Sequence, residues 1–402
     1  MERAQPVTAG VITALVGFTS SFTVVLAGLR AVGADRTQAA SGLLTASVIM
    51  GLLAVLVSVR TRLPISIAWS TPGAALLVTT GVPRGGFGAA VTAFALCGAL
   101  IVATGAFEPL RRLVLAVPRP LANALLAGVL LELCLVPVAT FQHRPWLAAG
   151  VIATWAVFLR VARRWAVPAA MAVALAEIVG SAGHAKLAGL SFAPTLTLTE
   201  PAFSLSALAL GVSLFIVTMA SQNVPGIAVL EGFGYEVPVR SVLVETGAGT
   251  VAGAALGGHV VNLAAISAAL CAGEDAHPDP ARRWIASSTA GITYIAFGLG
   301  AGLLSALVAV APAGLVESVA GLALLGTLGS SLAVAVVEDV AGGTRYRDAA
   351  VVTFLVTASG TSFGGIGSPF WGLLAGLLLV AILNLRLPRH APAVSSGARG
   401  SS

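Results

Sequence analysis

Charge is what this sequence lacks most. Of its 402 residues only 9% are Asp, Glu, Lys or Arg, against about 25% in soluble globular proteins, whose surfaces have to be hydrated. With 57% apolar residues and a mean hydropathy of +0.97, the chain could not cover a water-facing surface of the size its length implies. That argues against a soluble enzyme, a nucleic-acid-binding protein and a disordered scaffold. Lysine is nearly absent, Lys186 being the only one among 22 basic residues. Cysteine is scarce too. Cys97, Cys134 and Cys271 lie in or at the ends of apolar stretches without paired spacing, so neither a disulfide frame nor a zinc site is implied. No P-loop or ATPase motif occurs, so primary active transport would need another subunit.

What is present is apolar sequence in span-sized pieces. A span needs about 20 residues, and with its connection about 25 to 30, which gives on the order of 14 spans. The segments fall at about 7–29, 38–59, 65–81, 88–107, 119–140, 146–159, 166–182, 203–230, 238–256, 258–272, 285–309, 314–337, 349–363 and 367–385. The first is followed by Arg30 and Asp35, without a cleavage site, and reads as a retained span. The tail from Pro388 is polar and expected to be disordered. With the N-terminus inside and 14 crossings, 17 basic residues fall inside and 5 outside. This is a strong positive-inside bias with both termini cytoplasmic. The fold expected is an all-α polytopic protein of the inner membrane.

An internal repeat supports an even division. Ser20 and Ser221, Val151 and Val352, and Pro168 and Pro369 sit in similar surroundings, each 201 residues apart; Ala75 matches Ala265 at 190 and Gly128 matches Gly321 at 193. Seven spans per unit is odd, so the second unit must be inverted, an arrangement typical of secondary transporters.

Two segments look broken. The third, LPISIAWSTPGAALLVTTGVP, reads as an extended stretch through Ser70, then a helix with Thr71 as N-cap and Pro72 at its first position. From Pro72 to Thr80 the helix would run about 13 Å, less than half of the hydrocarbon core. The tenth, LGGHVVNLAAISAALCAG, has a Gly257-Gly258 break and Asn262 as the expected N-cap. Two half-helices beginning near the midplane would offer unpaired N–H groups to an anion without any intramembrane Arg. The candidate binding residues are Ser70, Thr71, Gly73, His259 and Asn262. The eighth segment adds Ser221, Gln222 and Asn223 just before Pro225-Gly226, where buried amides must find partners. Phe18 and Phe22 in the first segment could present rings to an apolar substrate body. Intramembrane ionisable residues are the proton-coupling candidates. His259 comes first, with an unperturbed pKa of about 6.5, then Glu245 and Glu132. The spacing of Gly249, Gly253 and Gly257 suggests close helix packing beside Glu245.

The stretches AWSTPGAALL, FIVTMASQNVPGIAVLEGFGYEVP and GGHVVNLAAISAALCAGEDAHPDPARRW, with the 7+7 layout, resemble the bacterial benzoate:proton symporter family. That family is related to nucleobase-cation symporters and sulfate/bicarbonate transporters. The resemblance implies a core domain (1–115 and 201–310) moving against a gate domain (116–200 and 311–387), with substrate between the third and tenth segments. It implies proton-coupled symport of benzoate or a similar aromatic carboxylate, the proton being the only coupling partner and no cofactor or metal being required. The residues themselves specify only a small organic anion and a lipid bilayer as partners; a homodimer is compatible with both. Nucleobase carriers of this fold place a carboxylate on the eighth segment. Ser221-Gln222-Asn223 stands there instead, which fits an anionic substrate better than a neutral base. A nucleobase symporter, an inorganic-anion exchanger and, further off, a membrane-embedded enzyme are the alternatives.

Overall fold

A computed structural model describes residues 4–188, 193–337, 344–361, 363 and 367–384. The expected tail at 388–402 lies outside them. The chain is helical almost throughout, as its composition requires. Backbone polar groups in a bilayer have no water to bond, so a spanning segment must satisfy them internally. Among the described residues seven helices are long and apolar enough to cross a membrane. An eighth crossing arises if the pair Pro280–Leu299 and Ala301–Val310, bent by 54°, counts as one. Pro145–Val161 and Ser368–Asn384 are shorter apolar helices.

In chain order α1 is Ala4–Ala31, α2 Arg36–Thr61, β1 Ile67–Trp69, α3 Thr71–Thr80 and α4 Gly86–Ala106. Then come α5 Glu108–Leu115, α6 Arg119–His143, α7 Pro145–Val161 and α8 Ala166–Ala188. The second half opens with α9 Leu205–Thr218, a π-helical turn Met219–Asn223 and α10 Val224–Gly232. It continues with α11 Val239–Ala254, β2 Val261–Leu263, α12 Ile266–Ala272, α13 Trp284–Leu299 and α14 Ala301–Val310. α15 Leu315–Val337, α16 Thr344–Ala358 and α17 Ser368–Asn384 complete it.

The repeat shows in these bounds. α1 and the composite α9–π–α10 are both 28 residues long and start 205 − 4 = 201 apart. The broken segments are offset differently. Their strands start 261 − 67 = 194 apart and their helices 266 − 71 = 195 apart, so the match of Ala75 with Ala265 is out of register by about one helical turn. The π turn was not visible in the sequence. It ends two residues before Pro225, which has no N–H to give the Ser221 carbonyl four residues back and whose ring crowds it; one wider turn absorbs the mismatch.

Small residues let the helices of one repeat press against those of the other. A Cβ on Gly51 of α2 would collide with the Gly291 carbonyl of α13, and one on Gly291 would come within 2.6 Å of the Gly51 carbonyl. Gly98 of α4 and Gly247 of α11 face each other likewise, at 2.8 and 2.6 Å. Such approaches substitute for the hydrophobic driving force that lipid removes. Gly249 and Gly253 also pack α11 against α2, on Leu53, Ile49 and Thr45, whereas Gly257 supplies a left-handed turn (φ +76°) before β2. Elsewhere α6 packs on α15, α16 and α17, and α7 on α8.

The two strands are the feature that positions the site. They pair antiparallel, Ile67 with Leu263, Ala68 with Asn262 and Trp69 with Val261. The ladder is extended by Ser70 N–H to the Val260 carbonyl (2.8 Å) and Ala264 N–H to the Ser66 carbonyl (2.9 Å). Non-helical backbone at membrane depth is tolerated only where protein buries it, and here each repeat supplies the hydrogen bonds that the other lacks. The strands run in opposite directions, each leading into its own short helix.

Candidate binding cavity between the half-helices

Ser70, rather than Thr71, is the N-cap of α3. Its Oγ accepts the Gly73 N–H at 3.1 Å, which moves the expected cap by one residue and puts Pro72 at the second helical position. The hydroxyl lies 2.8 Å from Thr218 Oγ1, which fixes the cap to α9. Pro72 carries no N–H, so α3 offers the space before it the backbone N–H and the hydroxyl of Thr71. The second half-helix departs further from expectation. Asn262 is not its N-cap: it lies in β2, and α12 begins only at Ile266. Both side-chain polar atoms of Asn262 are buried without a hydrogen-bond partner.

A cavity of about 100 Å³ lies where the two breaks meet. Thr71 and Pro72 form one end, and Ala68 and Trp69 lead up to it. Thr13, Gly17, Ser20 and Ser21 of α1 form a polar strip, and Gln222, Ser267 and Tyr294 come from the second repeat. Leu130 of α6 and Ala323, Leu324 and Thr327 of α15 close the opposite wall. No charged side chain is among these residues. Gln222 Oε1 accepts the Ala265 N–H at 3.4 Å, so its NH₂ group is the half left to donate. Trp69 is locked by its indole N–H, which donates to Ser21 Oγ at 2.8 Å, while Ser21 donates to the Gly17 carbonyl at 2.7 Å. Tyr294 is buried, and its hydroxyl oxygen lies 2.5 Å from where a Cβ on Gly17 would sit. The missing side chain of Gly17 is the space that holds the phenol. The arrangement provides donors at one end and apolar wall at the other, which suits an amphiphilic anion.

Several expected site residues take supporting places. Asn223 is fully buried; its Oδ1 accepts the Leu263 N–H at 3.0 Å and its Nδ2 approaches Met219 Sδ at 3.2 Å, tying the π turn to β2. Ser221 donates to the Val217 carbonyl at 2.5 Å, inside its own helix. Phe18 and Phe22 do not line the cavity. Phe18 packs on Phe22, Trp69 and Phe297 with ring centroids 5.2–5.5 Å apart, so these rings back the tryptophan instead of offering a face to a ligand. Gly73 makes room for His259, whose Cε1 would lie 3.2 Å from a Cβ there.

The proton-coupling candidates separate sharply. His259 Nε2 is 2.7 Å from the Ser70 carbonyl and its ring meets Phe94 edge-on at 5.7 Å. Nδ1 is buried without a partner. Histidine from one repeat thus touches the N-cap of the half-helix of the other. Glu245 lies elsewhere, paired with Arg60 and Ser241. Glu132 is exposed on α6, two residues and about 200° around the helix from the cavity-lining Leu130. Trp69, Thr13, Ser267 and Tyr294 escaped sequence reasoning, since a single polar or aromatic residue on an apolar helix has no signature until its neighbours are known.

The model of the benzoate membrane transport protein family matches residues 2–382. The chain is 39% identical over 384 residues to inner membrane protein YdcO of Escherichia coli (strain K12), covering 95% of this chain and 96% of that one. It is 31% identical over 331 residues to the benzoate membrane transport protein of Acinetobacter baylyi, covering 82% of each. In fold it resembles the transmembrane domain of a cyanobacterial bicarbonate transporter, BicA (TM-score 0.61, 15% identity, 94% of this chain and 98% of that chain). It also resembles the murine anion transporter Slc26a9 in its inward-facing state (TM-score 0.62, 13% identity, 94% and 68%). The family and the structural neighbours are transporters and not enzymes, and the family match spans nearly the whole sequence: the chain belongs to the benzoate membrane transport protein family.

Proposed function

We propose that this membrane transporter carries benzoate, or a small aromatic carboxylate like it, together with a proton across the inner membrane by alternating access. The observation that carries this reading is the uncharged cavity itself. A carboxylate placed before α3 would meet the Thr71 N–H and hydroxyl, the Gln222 amide and the Tyr294 hydroxyl. The positive end of the helix favours negative charge there. An aromatic ring on the other side would lie among Trp69, Leu130 and Leu324. The wall supplied by α6 and α15 belongs to the proposed gate (116–200 and 311–387), and the rest belongs to the proposed core (1–115 and 201–310). Relative movement of the two would open the cavity to either side, with both termini cytoplasmic.

His259 is the proposed proton carrier. A proton on its bare Nδ1 would put a cation directly behind the N-cap of α3, strengthening the same field that holds the carboxylate. Proton and anion would thus favour each other's binding, which is the reciprocity that symport requires. Counterflow in proteoliposomes tests the substrate class. Vesicles preloaded with unlabelled benzoate are expected to accumulate labelled benzoate transiently, whereas uracil or sulfate preloads drive none. Counterflow with uracil or sulfate and none with benzoate would reverse the assignment.

A further inference from the structure

A second recess lies along the same seam. It has a volume of about 330 Å³ and runs between α6 and α15 on one wall and the π turn and α10 on the other. Ala122 and Val334 on the first wall lie 130 − 122 = 8 and 334 − 327 = 7 residues from cavity-lining Leu130 and Thr327. That is about 12 and 10 Å along the two helices. The π turn separates the spaces, with Gln222 facing the cavity and Ala220 facing the recess.

The walls of the recess are apolar, built from Val114, Val117, Val224 and Val229 among others, and exposed Arg119 stands on its rim beside Asn123. Arg111 and Arg112 nearby are both engaged by Glu108. Among the described residues no carboxylate engages Arg119. An apolar slot with one uncompensated guanidinium at its mouth has the same amphiphilic character as the central cavity, but with a full charge in place of dipoles. Arginine suits a carboxylate in particular, because its planar fork can bond both oxygens.

We propose that this recess is a waiting site for the transported carboxylate, which it occupies between the central cavity and the aqueous phase on the Arg119 side, with its charge on Arg119 and its ring among the valines. The proposal rests on the transport reading above.

Membrane vesicles of defined orientation, with labelled benzoate presented to one face at a time, test it. Arg119→Gln is expected to raise the half-saturation concentration about fivefold from the Arg119 side, the most expected of an exposed ion pair, and to leave the opposite side unchanged. Arg119→Lys keeps the charge but not the planar fork, and is expected to fall between the unaltered protein and Arg119→Gln. High salt on the Arg119 side should reproduce the Gln phenotype in the unaltered protein by screening. Equal effects from both sides, no effect, or identical effects of Gln and Lys would overturn the waiting site while leaving the transport reading intact. Failure of the unaltered protein to handle benzoate at all would overturn both.

Discussion

Gly17→Ala is expected to abolish high-affinity substrate binding, although it adds a single methyl group. The new Cβ would stand 2.5 Å from the Tyr294 hydroxyl oxygen, far inside van der Waals contact. Tyr294 is 3% exposed and cannot swing into solvent, so its phenol would have to move into the cavity. Protein interiors transmit such strain because they are packed as densely as organic crystals. Binding of labelled benzoate to purified protein is expected to weaken by at least tenfold, or about 1.4 kcal/mol. The double variant Gly17→Ala/Tyr294→Phe separates crowding from chemistry. It relieves the clash by removing the hydroxyl and is expected to restore the cavity's shape but not the donor. Its affinity should therefore match Tyr294→Phe alone. Unchanged binding in Gly17→Ala would mean that the substrate sits elsewhere.

The second large effect concerns coupling. His259→Gln is expected to abolish accumulation driven by a pH gradient, because glutamine retains hydrogen-bonding capacity toward the Ser70 carbonyl but takes up no proton. The sign of the pH dependence follows from the geometry. Protonation behind α3 favours the anion, so benzoate affinity of the unaltered protein should rise as pH falls through the range where the imidazole charges. That slope should be flat in His259→Gln. Exchange of labelled for unlabelled substrate should persist, at reduced affinity, since it needs no net proton cycle. Glu245→Gln distinguishes the alternative. With Arg60 and Ser241 as its partners, Glu245 serves to join α11 to α2, and its neutralisation is expected to leave accumulation and the pH slope in place. If Glu245→Gln loses accumulation while His259→Gln keeps it, the proton follows another route.

Much of this arrangement was legible in the sequence because it is local or repeated. A helix from the Ser-Thr-Pro-Gly run to Thr80 follows from capping chemistry and a proline near its start, and it is found at Thr71–Thr80. The 201-residue offset follows from matched motifs and reappears in the bounds of α1 and the α9–π–α10 composite. What was not legible depends on partners far away in the chain. Asn262 has the composition of an N-cap, yet its backbone pairs with Ala68, nearly 200 residues earlier, and a strand of three residues has no periodicity of its own. Asn223 is polar and mid-membrane as a ligand contact would be, but its Oδ1 is taken by the Leu263 N–H, 40 residues further along the chain. Phe18 and Trp69 differ in role only because the Trp69 indole reaches Ser21 and faces the cavity, leaving the phenyl ring behind it.

The most direct test is to locate the substrate itself. In crystals of the protein grown with 4-bromobenzoate, anomalous scattering from bromine would mark one end of the molecule. The bromine is expected among Trp69, Leu130 and Leu324, with the carboxylate toward Thr71, Gln222 and Tyr294. A second, weaker peak among Val224, Val229 and Val334 is compatible with the waiting site. Bromine with full occupancy anywhere else, with the central cavity empty, would contradict the account.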